Sequence, residues 1–501
     1  MSLPPMSWKL KEALRRKLAG EQGAIVREPG ARTPLALIYP NSYAVGMGNL
    51  AIHSLYRMAN SRPDLACERF FLPDRREAEE YGRTGAELMS VEAQRPLSEF
   101  AVAAFSISFE NDLLNLLPLF SLARIPYRAA MRDPGSPILV AGGAAATLNP
   151  APLSAIFDAV VLGEAECFAD DLFPLIAGRL RKEEALREMA RIPGVWIPSI
   201  SPPPEAGVRR FLTDLDAWPT ETVIHSEAAE FGKMHLVELQ RGCPFRCGFC
   251  ATPAIYDPPR RRSPEAALAM VASGLPFRKK FGLIGAHILS WPSFEKLARA
   301  IHERGATFSP SSIRASDLDD EKARLLSESG HRSVALGVEA GSEKLRETLG
   351  KNLSDEELMR SAATLAHRGV TNLRLYFMIG LPGETDDDVA AIASISLRVL
   401  EAIKAHAPKG ARQTSVAVTL SPFVPKPRTP FAGERFVGEG ELKARSSAIK
   451  SLLRKERGVS VSADSPLSAA VEAYLSSAGP EAVEFLEGAA RGENPRRLLP
   501  S

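Results

Sequence analysis

From residue 35 onward, short apolar runs alternate with stretches in which apolar residues recur at helical spacing. In the first 200 residues the apolar runs predict buried strands at 35–39, 66–73, 100–108, 137–143 and 158–164. Two stretches with helical spacing, 48–60 and 111–125, lie between successive strands. Buried strands that alternate with helices are typical of βαβ units, so this half predicts a doubly wound, Rossmann-like parallel sheet.

A proline-rich segment at 198–207 separates this half from a second one with the same alternation. Further strands are predicted at 235–240, 281–286, 306–313, 333–340, 371–380 and 414–420. Helices are predicted between them at 293–304, 319–330, 354–369 and 386–406. Six βα units fit a partial barrel, whose chemistry lies at the carboxyl ends of its strands.

After about residue 438 the pattern becomes helical and the charge denser. We therefore expect an α/β protein in three regions. A Rossmann-like domain would cover 1–200, a partial (β/α)6 barrel 208–437, and a helical C-terminal region 438–501.

Composition excludes some classes of function. The net charge of +2 creates no overall field toward nucleic acid or a membrane. No apolar run approaches the ~18 residues that a membrane span needs, and the N-terminus lacks the apolar segment of a secretory signal. Basic spots at 258–265 and 277–282 are scattered and lack interleaved aromatics. A small-molecule or lipid-like substrate is therefore favoured over nucleic acid.

The main candidate for chemistry is "RGCPFRCGFCATP" at 241–253, directly after the first predicted barrel strand. It holds Cys243, Cys247 and Cys250 in C-x3-C-x2-C spacing. One interpretation is structural zinc with His225 or His235 as fourth ligand, although such sites normally use two separated ligand pairs. A second is a set of ordinary buried thiols. A third is a four-iron cluster, which normally takes four thiolates and with three would leave one iron open.

The cysteine motif, at the end of the first barrel strand and with Phe249 before its last cysteine, resembles the radical S-adenosylmethionine (radical SAM) superfamily. The resemblance extends over about residues 233–430. In that family SAM chelates the open iron of a [4Fe–4S] cluster. An electron from the reduced cluster cleaves SAM to methionine and a 5′-deoxyadenosyl radical, which removes a substrate hydrogen. The resemblance implies the cluster on these three cysteines, SAM, and a reducing partner such as flavodoxin or ferredoxin.

Later strand ends are similar to the segments with which the family binds SAM. They include the glycine that ends the second strand, charged residues at the ends of the third and fourth, and the fifth-strand segment "LRLYFMIGLPGET". The SAM contacts that the resemblance implies are Phe249, Gly285, Arg314, Glu339, Arg374 and Gly380. The alternative for the three charged residues is a set of salt bridges inside the barrel.

Three strand ends of the N-terminal half are rich in Gly or Ser, namely "YPNSYAVGMGN", "SISFEND" and "AGGAAATLNP". Small residues let a large ligand approach the backbone. A doubly wound domain ahead of the barrel resembles the cobalamin-binding subclass, in which the corrin lies across the carboxyl ends of the Rossmann strands, facing the barrel. The resemblance implies cobalamin, with methyl transfer to an unactivated carbon as the expected reaction. The implied contacts are Tyr43, Gly46, Met47, Ser106, Gly142, Gly143, Gly163 and Glu164.

The axial ligand of cobalt departs from the family pattern. Many cobalamin-binding domains carry D-x-H-x-x-G after the first strand, and its His ligates the cobalt from below. Here Tyr43 occupies the His position, and His53, on the following predicted helix, is the only His in residues 1–200. Either the domain no longer binds cobalamin, or it binds cobalamin with no His below the cobalt. We favour the second interpretation. The alternatives are a radical SAM enzyme without cobalamin and a non-catalytic iron–sulfur or zinc module.

Cys67 and Cys167 stand apart from the cluster motif and from each other. Methylthiotransferases, another radical SAM subclass, carry three further cysteines before the barrel, so two isolated cysteines disfavour that reaction. Five cysteines in this arrangement do not resemble a disulfide framework. We therefore expect a reducing compartment, most simply the cytoplasm.

Overall fold

A computed structural model describes residues 7–28, 30–205, 207–311, 313–410 and 413–500. The described chain forms two compact units. The first consists of the described residues up to Thr213, Ala217–His235 and the segment from Tyr474 onward. The second consists of Asp214–Asp216 and Leu236–Ala473. The segment 438–501, expected as one C-terminal region, is thus divided between the two units.

The first unit is built on a doubly wound sheet, as the alternating pattern predicted. Its strands are Thr33–Tyr39 (β1), Leu65–Phe71 (β2), Val102–Ser106 (β3), Ile138–Gly142 (β4), Ala159–Val161 (β5) and Val195–Trp196 (β6). The order is β2-β1-β3-β4-β5-β6, parallel except for β6, which is antiparallel to β5. The strand order reverses between β1 and β3, and in such sheets the ligand crevice lies at the carboxyl ends of the strands at that point.

Burial explains why these segments form strands. Almost every residue of β1 and all seven of β2 are buried, which is typical of parallel strands covered on both faces. The α-helices of this unit are Trp8–Ala19, Tyr43–Gly46, Leu50–Ser61, Arg75–Thr84, Leu116–Ala123, Ala144–Leu148, Ala169–Ala177, Lys182–Met189, Ala482–Ala490 and Pro495–Leu498. A two-residue strand, Glu21–Gln22, pairs antiparallel with His225–Ser226.

The C-terminal segment packs on the first unit through specific polar contacts. Glu487 accepts hydrogen bonds from the hydroxyl of Tyr127, at 2.8 Å, and from Nε of Arg128, at 2.9 Å. The side chain of Asn149 donates to the carbonyl of Ser476 at 3.0 Å. These contacts explain why the end of the chain belongs to the same unit as its beginning.

The second unit is a sheet of βα units. Its strands are His235–Glu238 (β7), Lys280–Ile284 (β8), Thr307–Pro310 (β9), Ser333–Glu339 (β10), Asn372–Ile379 (β11), Ser415–Pro422 (β12) and Val459–Ala463 (β13). One sheet has the order β9-β8-β7 and another β10-β11-β12-β13, and a parallel bridge between Ile313 and Leu336 joins them. The strand β13, parallel to β12, was not predicted; it interrupts a C-terminal region that is otherwise helical, as expected from the sequence.

The helices of the second unit follow its strands in sequence. They are Thr252–Tyr256, Pro264–Gly274, Phe294–Glu303, Asp320–Glu328, Glu343–Thr348, Asp355–His367, Asp386–His406, Glu439–Leu453 and Pro466–Ser477. Every second residue of β10, β11 and β12 is buried in one large apolar core with these helices. The alternate residues of the strands therefore face the other side of the sheet. None of the helices among the described residues is long and apolar enough to cross a membrane.

Candidate functional site

The three clustered cysteines lie in a loop directly after β7. Its two ends are held together because Gln240–Arg241 pairs antiparallel with Arg260–Arg261. Gly242 begins the loop with φ +83°, and a Cβ there would come within 2.5 Å of the carbonyl oxygen of Tyr256. Only glycine combines this backbone angle with so close an approach. The sequence "RGC" therefore turns the chain sharply before the first cysteine.

The three cysteines lie within one short loop. Cys247 is buried and Cys243 and Cys250 are half-buried, and the backbone N–H of Cys250 donates to the carbonyl of Cys247 at 3.0 Å. Burial raises the pKa of the Cys243 and Cys247 thiols, and the nearby Cys250 thiol raises both further. Cys250 is thus near enough to both other thiols to influence their pKa. Three thiolate donors in one loop fit an iron–sulfur cluster with one iron left open.

A second loop supports the buried cysteine. The thiol of Cys247 donates to the carbonyl of Gly350 at 3.6 Å, and the N–H of Gly248 donates to the carbonyl of Leu349 at 2.9 Å. The carbonyl of Gly248 in turn accepts from the N–H of Phe431 at 3.0 Å. A Cβ on Gly248 would lie 2.5–2.7 Å from three ring atoms of Phe431. The cysteine loop therefore requires glycine at 248.

Two cations stand beside the thiols. Lys351 and Arg314 both lower the pKa of the Cys247 thiol, against the larger effect of burial. The guanidinium of Arg314 stacks on the ring of Phe245 at 3.9 Å and donates to the carbonyls of Lys351 and Asn352. It thus joins the cysteine loop to the second loop, and its positive charge favours thiolates.

Glu339, at the end of β10, is also part of this cluster. Its Oε1 accepts from Nζ of Lys351 at 2.9 Å, and its backbone has φ 77°, a value that non-glycine residues seldom adopt. A Cβ on Gly337 would approach the Glu339 carboxylate to 2.5 Å. Of the salt bridges proposed as an alternative to SAM contact, the structure contains this one.

Phe249 packs on an apolar cluster at the same end of the second unit. Its partly buried partners are Met378 and Phe431. The buried members of the cluster are Ala340, Leu345, Leu349, Leu381 and Phe423. The aromatic before the last cysteine therefore anchors the loop to the ends of β10, β11 and β12.

Of the remaining expected SAM contacts, Gly285 and Gly380 follow the ends of strands, whereas Arg374 lies within a strand. Gly285 follows β8, and its N–H and carbonyl both hydrogen-bond to the hydroxyl of Ser311, at 3.1 and 2.9 Å. Gly380 follows β11 with φ +82°, and a Cβ there would lie 2.7 Å from a methyl of Val437. Arg374 stands six residues earlier on β11, is exposed, and has no hydrogen-bond or ion-pair partner among the residues that the structure describes.

One cluster of donors in the first unit bears on metal binding. His225 and His235, the candidate fourth ligands for zinc, hydrogen-bond to each other at 3.0 Å, and His235 contacts Glu221 at 3.2 Å. Within the described ranges, no three Cys, His, Asp or Glu side chains are placed to hold a single metal ion.

In the first unit, Tyr43 is turned into the core. It opens the short helix after β1, its hydroxyl donates to Glu21 at 2.6 Å, and its ring packs edge-on against Phe71. Burial, followed by the Glu21 charge, raises the pKa of Tyr43 above its usual range. A Cβ on Gly46 would come within 2.4 Å of the Phe71 ring. Tyr43, which stands where many cobalamin-binding domains have the cobalt-ligating His, is therefore held by contacts within the core.

The side chains of His53 and Met47 also have hydrogen-bond partners within the protein. Nε2 of His53 lies 3.0 Å from the carbonyl of Met47, and its Nδ1 accepts from the N–H groups of Val223 and Ile224. The sulfur of Met47 accepts from Arg69 at 3.1 Å. Burial lowers the pKa of His53 to about 4. Both ring nitrogens are used, so this His offers no nitrogen to a metal.

The loops at the strand-order reversal are joined by polar contacts. Nδ2 of Asn41, after β1, donates to Asp112 at 2.8 Å, and Nδ2 of Asn49 donates to the hydroxyl of Ser108 at 3.0 Å. Ser106 ends β3 opposite Gly142 of β4. These small and polar residues line the edge at which a doubly wound sheet binds its ligand.

At two other positions of this edge, Gly143 and Gly163, the backbone packs too closely for any residue but glycine. Gly143 has φ +112°, and a Cβ there would lie 2.4 Å from the carbonyl oxygen of Ile107. Gly163 has φ +125°, and a Cβ would lie 2.0 Å from the carbonyl oxygen of Arg210. Glu164 is buried and accepts from the N–H of Leu212 at 3.0 Å. Gly163 and Glu164 thus hold the segment after the proline-rich linker.

The isolated cysteines do not form a second thiol cluster in the described chain. Cys67 is buried on β2, where its N–H and carbonyl both bond to the side chain of Asn60 at 3.1 Å. Burial raises the pKa of its thiol well above the usual range. Cys167 is half-buried in a short 3₁₀ turn.

Sequence reasoning missed Lys351, the contact between Gly248 and Phe431, and a buried arginine. Arg346 is fully buried and donates to the carbonyls of Ala340, Gly341 and Leu353 at 2.7–3.0 Å. It thereby shapes the loop that carries Lys351. No sequence motif marks these residues.

Comparisons with known proteins agree with this geometry. A family model described as "Radical SAM proteins, N-terminal" matches residues 51–198, and one described as "Radical SAM superfamily" matches residues 237–395. An uncharacterised protein of Methanocaldococcus jannaschii is 28% identical over 424 residues, which cover 84% of each chain.

Two solved structures are similar in fold. The radical S-adenosylmethionine methyltransferase TsrM from Kitasatospora setae, with cobalamin and a [4Fe–4S] cluster bound, has a TM-score of 0.52 at 15% identity, over 78% of this chain and 72% of that one. The cobalamin-dependent S-adenosylmethionine radical enzyme OxsB, with aqua-cobalamin and S-adenosylmethionine bound, has a TM-score of 0.50 at 13% identity, over 92% of this chain and 62% of that one.

Proposed function

The chain belongs to the radical SAM superfamily, and on that premise we propose that it is a cobalamin-dependent member that transfers a methyl group to an unactivated carbon. The observation that carries the proposal is the loop directly after β7, which holds three cysteines and is fixed to a second loop by the contacts of Cys247 with Gly350 and of Gly248 with Leu349. When bound, the cluster and SAM supply a 5′-deoxyadenosyl radical, and cobalamin supplies the methyl group. The chain itself positions these groups.

Cys243, Cys247 and Cys250 would hold the [4Fe–4S] cluster, with Lys351 and Arg314 offsetting the negative charge of the thiolates. SAM would lie across the neighbouring strand ends. Its proposed contacts are Phe249, Gly285, Arg314, Glu339 and Gly380. Glu339 is already paired with Lys351, so a SAM ribose or amine would share its carboxylate.

Cobalamin would lie at the carboxyl edge of the first unit's sheet, near Ser106, Gly142 and the loop after β1. The similarity of fold to TsrM and OxsB supports this proposal. Because His53 and Tyr43 are both occupied in the core, the described part of the first unit offers no side chain of the family's kind below the cobalt. Cobalamin would therefore bind here without a His of the first unit on its cobalt.

The substrate would be a small or lipid-like molecule, and electrons would come from a reducing partner such as flavodoxin or ferredoxin. Such chemistry belongs in a reducing compartment, and we place the protein in the cytoplasm. A methylthiotransferase reaction is not favoured, because only two isolated cysteines, Cys67 and Cys167, precede the cluster motif and Cys67 is buried in the first unit.

The test is anaerobic purification with cobalamin supplied, followed by iron analysis and an assay of SAM cleavage. We expect about four irons per chain and 5′-deoxyadenosine formation. Changing Cys243, Cys247 and Cys250 together to Ala should abolish both. Cleavage of SAM by the triple variant after dithionite reduction would refute the proposal.

Cobalamin binding needs its own measurement. Electron paramagnetic resonance of the Co(II) form should show no hyperfine splitting from a coordinated nitrogen. Such splitting would mean that a nitrogen ligand exists elsewhere. Absence of bound cobalamin after anaerobic loading would favour a radical SAM enzyme without cobalamin, in which the first unit only shapes the substrate pocket.

A further inference from the structure

The two faces of β11 in the second unit differ in character. Leu373, Leu375 and Phe377 are buried in the apolar core with the helices. Arg374 and Tyr376 alternate with them and face the opposite side, where both are exposed. A strand that places an arginine and a tyrosine on one face offers polar groups to something other than the core.

The neighbours of these two side chains are small. In register, Arg374 lies between Ala335 of β10 and Ala417 of β12, and Tyr376 lies one step along the same face. The residues that flank the pair on β10, β12 and β13 are Ala335, Gly337, Ala417, Thr419, Ser460 and Ser462. Short side chains on both sides leave room around the guanidinium and the phenol.

Charge on this face is unevenly compensated. Glu238 is paired with Arg241 at 2.8 Å and with Arg262 at 3.2 Å, and Glu339 is paired with Lys351 at 2.9 Å. Arg374, by contrast, has no ion-pair or hydrogen-bond partner in the described ranges. With the carboxylates neutralised, the uncompensated guanidinium favours an anion. Its planar fork suits a carboxylate or a phosphate.

Arg374 lies toward the amino end of β11, away from Gly380, one of the proposed SAM contacts. A strand rises about 3.3 Å per residue, so the backbone of Arg374 lies roughly 20 Å from that of Gly380 at the carboxyl end. On the other side of Arg374, at the amino end of the strands, the hydroxyl of Ser415 donates to the side chain of Asn372 at 2.6 Å. A ligand that enters from the carboxyl end would therefore reach Arg374 with the part most distant from the cysteine loop.

We propose that Arg374, with the hydroxyl of Tyr376 beside it, binds an anionic group of the substrate. The substrate class is then a molecule that carries a carboxylate or a phosphate remote from the carbon that reacts. The inference rests on the proposed function, since it names the substrate class of that site. It also assigns Arg374 to substrate in place of SAM.

The experiment is labelling of the reconstituted holoprotein with phenylglyoxal, which modifies accessible guanidinium groups, followed by peptide mass spectrometry. The probes are phenyl phosphate, benzoate, neutral benzyl alcohol and SAM. At a probe concentration of twice its dissociation constant, labelling of Arg374 should slow about threefold with an anionic probe. Benzyl alcohol and SAM should not protect it. The better anionic probe identifies phosphate or carboxylate as the group recognised.

Arg360 is the internal control, because its side chain is 61% exposed on a helix of the same unit. Its labelling should be the same with every probe. Calorimetric titration with phenyl phosphate or benzoate should show binding to Arg360→Gln as to the unchanged protein, and at least about tenfold weaker binding to Arg374→Gln. Protection of Arg374 by SAM alone, or by no anion at all, would overturn the proposal.

SAM cleavage by the unchanged protein, measured in the same preparation without substrate, keeps the two proposals separate. If SAM is cleaved but no anionic probe protects Arg374 from phenylglyoxal, the anion site is overturned and the radical SAM function stands. Anion protection without cleavage would overturn the proposed function while the anion site stands.

Discussion

The ammonium group of Lys351 lies 2.9 Å from Oε1 of Glu339, and both side chains act on the thiol of Cys247. Burial raises the pKa of that thiol, Lys351 lowers it, and Glu339 raises it. Lys351 lies about a hundred residues after Cys247 in the chain, and its charge balances that of Glu339 at the end of β10. The ion pair controls the charge that a cluster on these cysteines would experience.

Replacing this lysine should make the cluster harder to reduce. Lys351→Met removes a positive charge and leaves Glu339 without its partner. A unit charge roughly 10 Å away is worth on the order of 1–2 kcal/mol in this setting. We expect a more negative midpoint potential in a redox titration followed by electron paramagnetic resonance. Lys344→Met, an exposed lysine of the same unit, is the control. An unchanged potential in Lys351→Met would contradict the electrostatic role.

Gly248→Ala should weaken the cysteine loop. The new methyl would lie 2.5–2.7 Å from three ring atoms of Phe431, and overpacking of this kind costs about 1–3 kcal/mol. Iron content after reconstitution should fall. Adding Phe431→Leu should restore part of it, because the ring that clashes is gone. Gly433→Ala is the matched control, since a Cβ there meets nothing within 4 Å. Loss of iron without recovery in the double variant would mean that the contact is not the cause.

Arg346→Leu should destabilise the second unit. The buried guanidinium donates to the carbonyls of Ala340, Gly341 and Leu353 and pairs with the carboxylate of Asp355, so its removal takes this donor from the three carbonyls and leaves Asp355 with Arg398 as its ion-pair partner. We expect a loss of about 3 kcal/mol. Hydrogen exchange of β10 measures it. Arg360→Leu, on an exposed position, should change exchange little, and equal effects of the two variants would refute the role of burial.

Changing Cys67 and Cys167 together to Ala should leave the iron content at about four per chain. Cys67 is a buried residue of β2 with a raised thiol pKa, and such cysteines behave as small apolar side chains. Iron analysis and SAM cleavage are the measurements. Iron in the unchanged protein well above four, falling to four in the double variant, would reveal a second cluster.

The first unit should lose stability in mild acid through His53. Its pKa is lowered to about 4, mainly by burial and further by the charges of Arg69, His235 and Arg57. An unfolded His titrates near 6.5, so between these values the unfolded state binds a proton that the native state does not. Stability is therefore present above about pH 6.5 and falls as the pH drops, by about 2 kcal/mol between pH 7 and 5.

His53→Gln tests this assignment, because an amide can donate to the carbonyl of Met47 and accept from the N–H of Val223. Hydrogen exchange of β1 at both pH values reports unfolding of the first unit. The variant should show a smaller difference than the unchanged protein. An equal difference in both proteins would place the titrating group elsewhere.

Much of the fold follows from local pattern. Apolar runs of strand length alternate with helical periodicity in both halves, and the observed strands β1–β5 and β7–β12 lie at the predicted places within a few residues. Such patterns are visible because burial selects every second or every third to fourth residue of one segment. The strand β13 was missed because it is short and lies among predicted helices. In it, Val459 and Val461 alternate with two serines.

The candidate site also has features that follow from local sequence and features that depend on the fold. The spacing alone predicts one centre for three thiols, because Cys243, Cys247 and Cys250 lie within eight positions of one another and local spacing limits how far they can separate. Only the tertiary structure decided which charges surround them, that Tyr43 turns into the core, and that Arg374 faces an open side of its sheet. Those outcomes depend on strand register and on packing between segments distant in the chain. Spacing along a sequence carries little information about such contacts, since they are set by the fold as a whole.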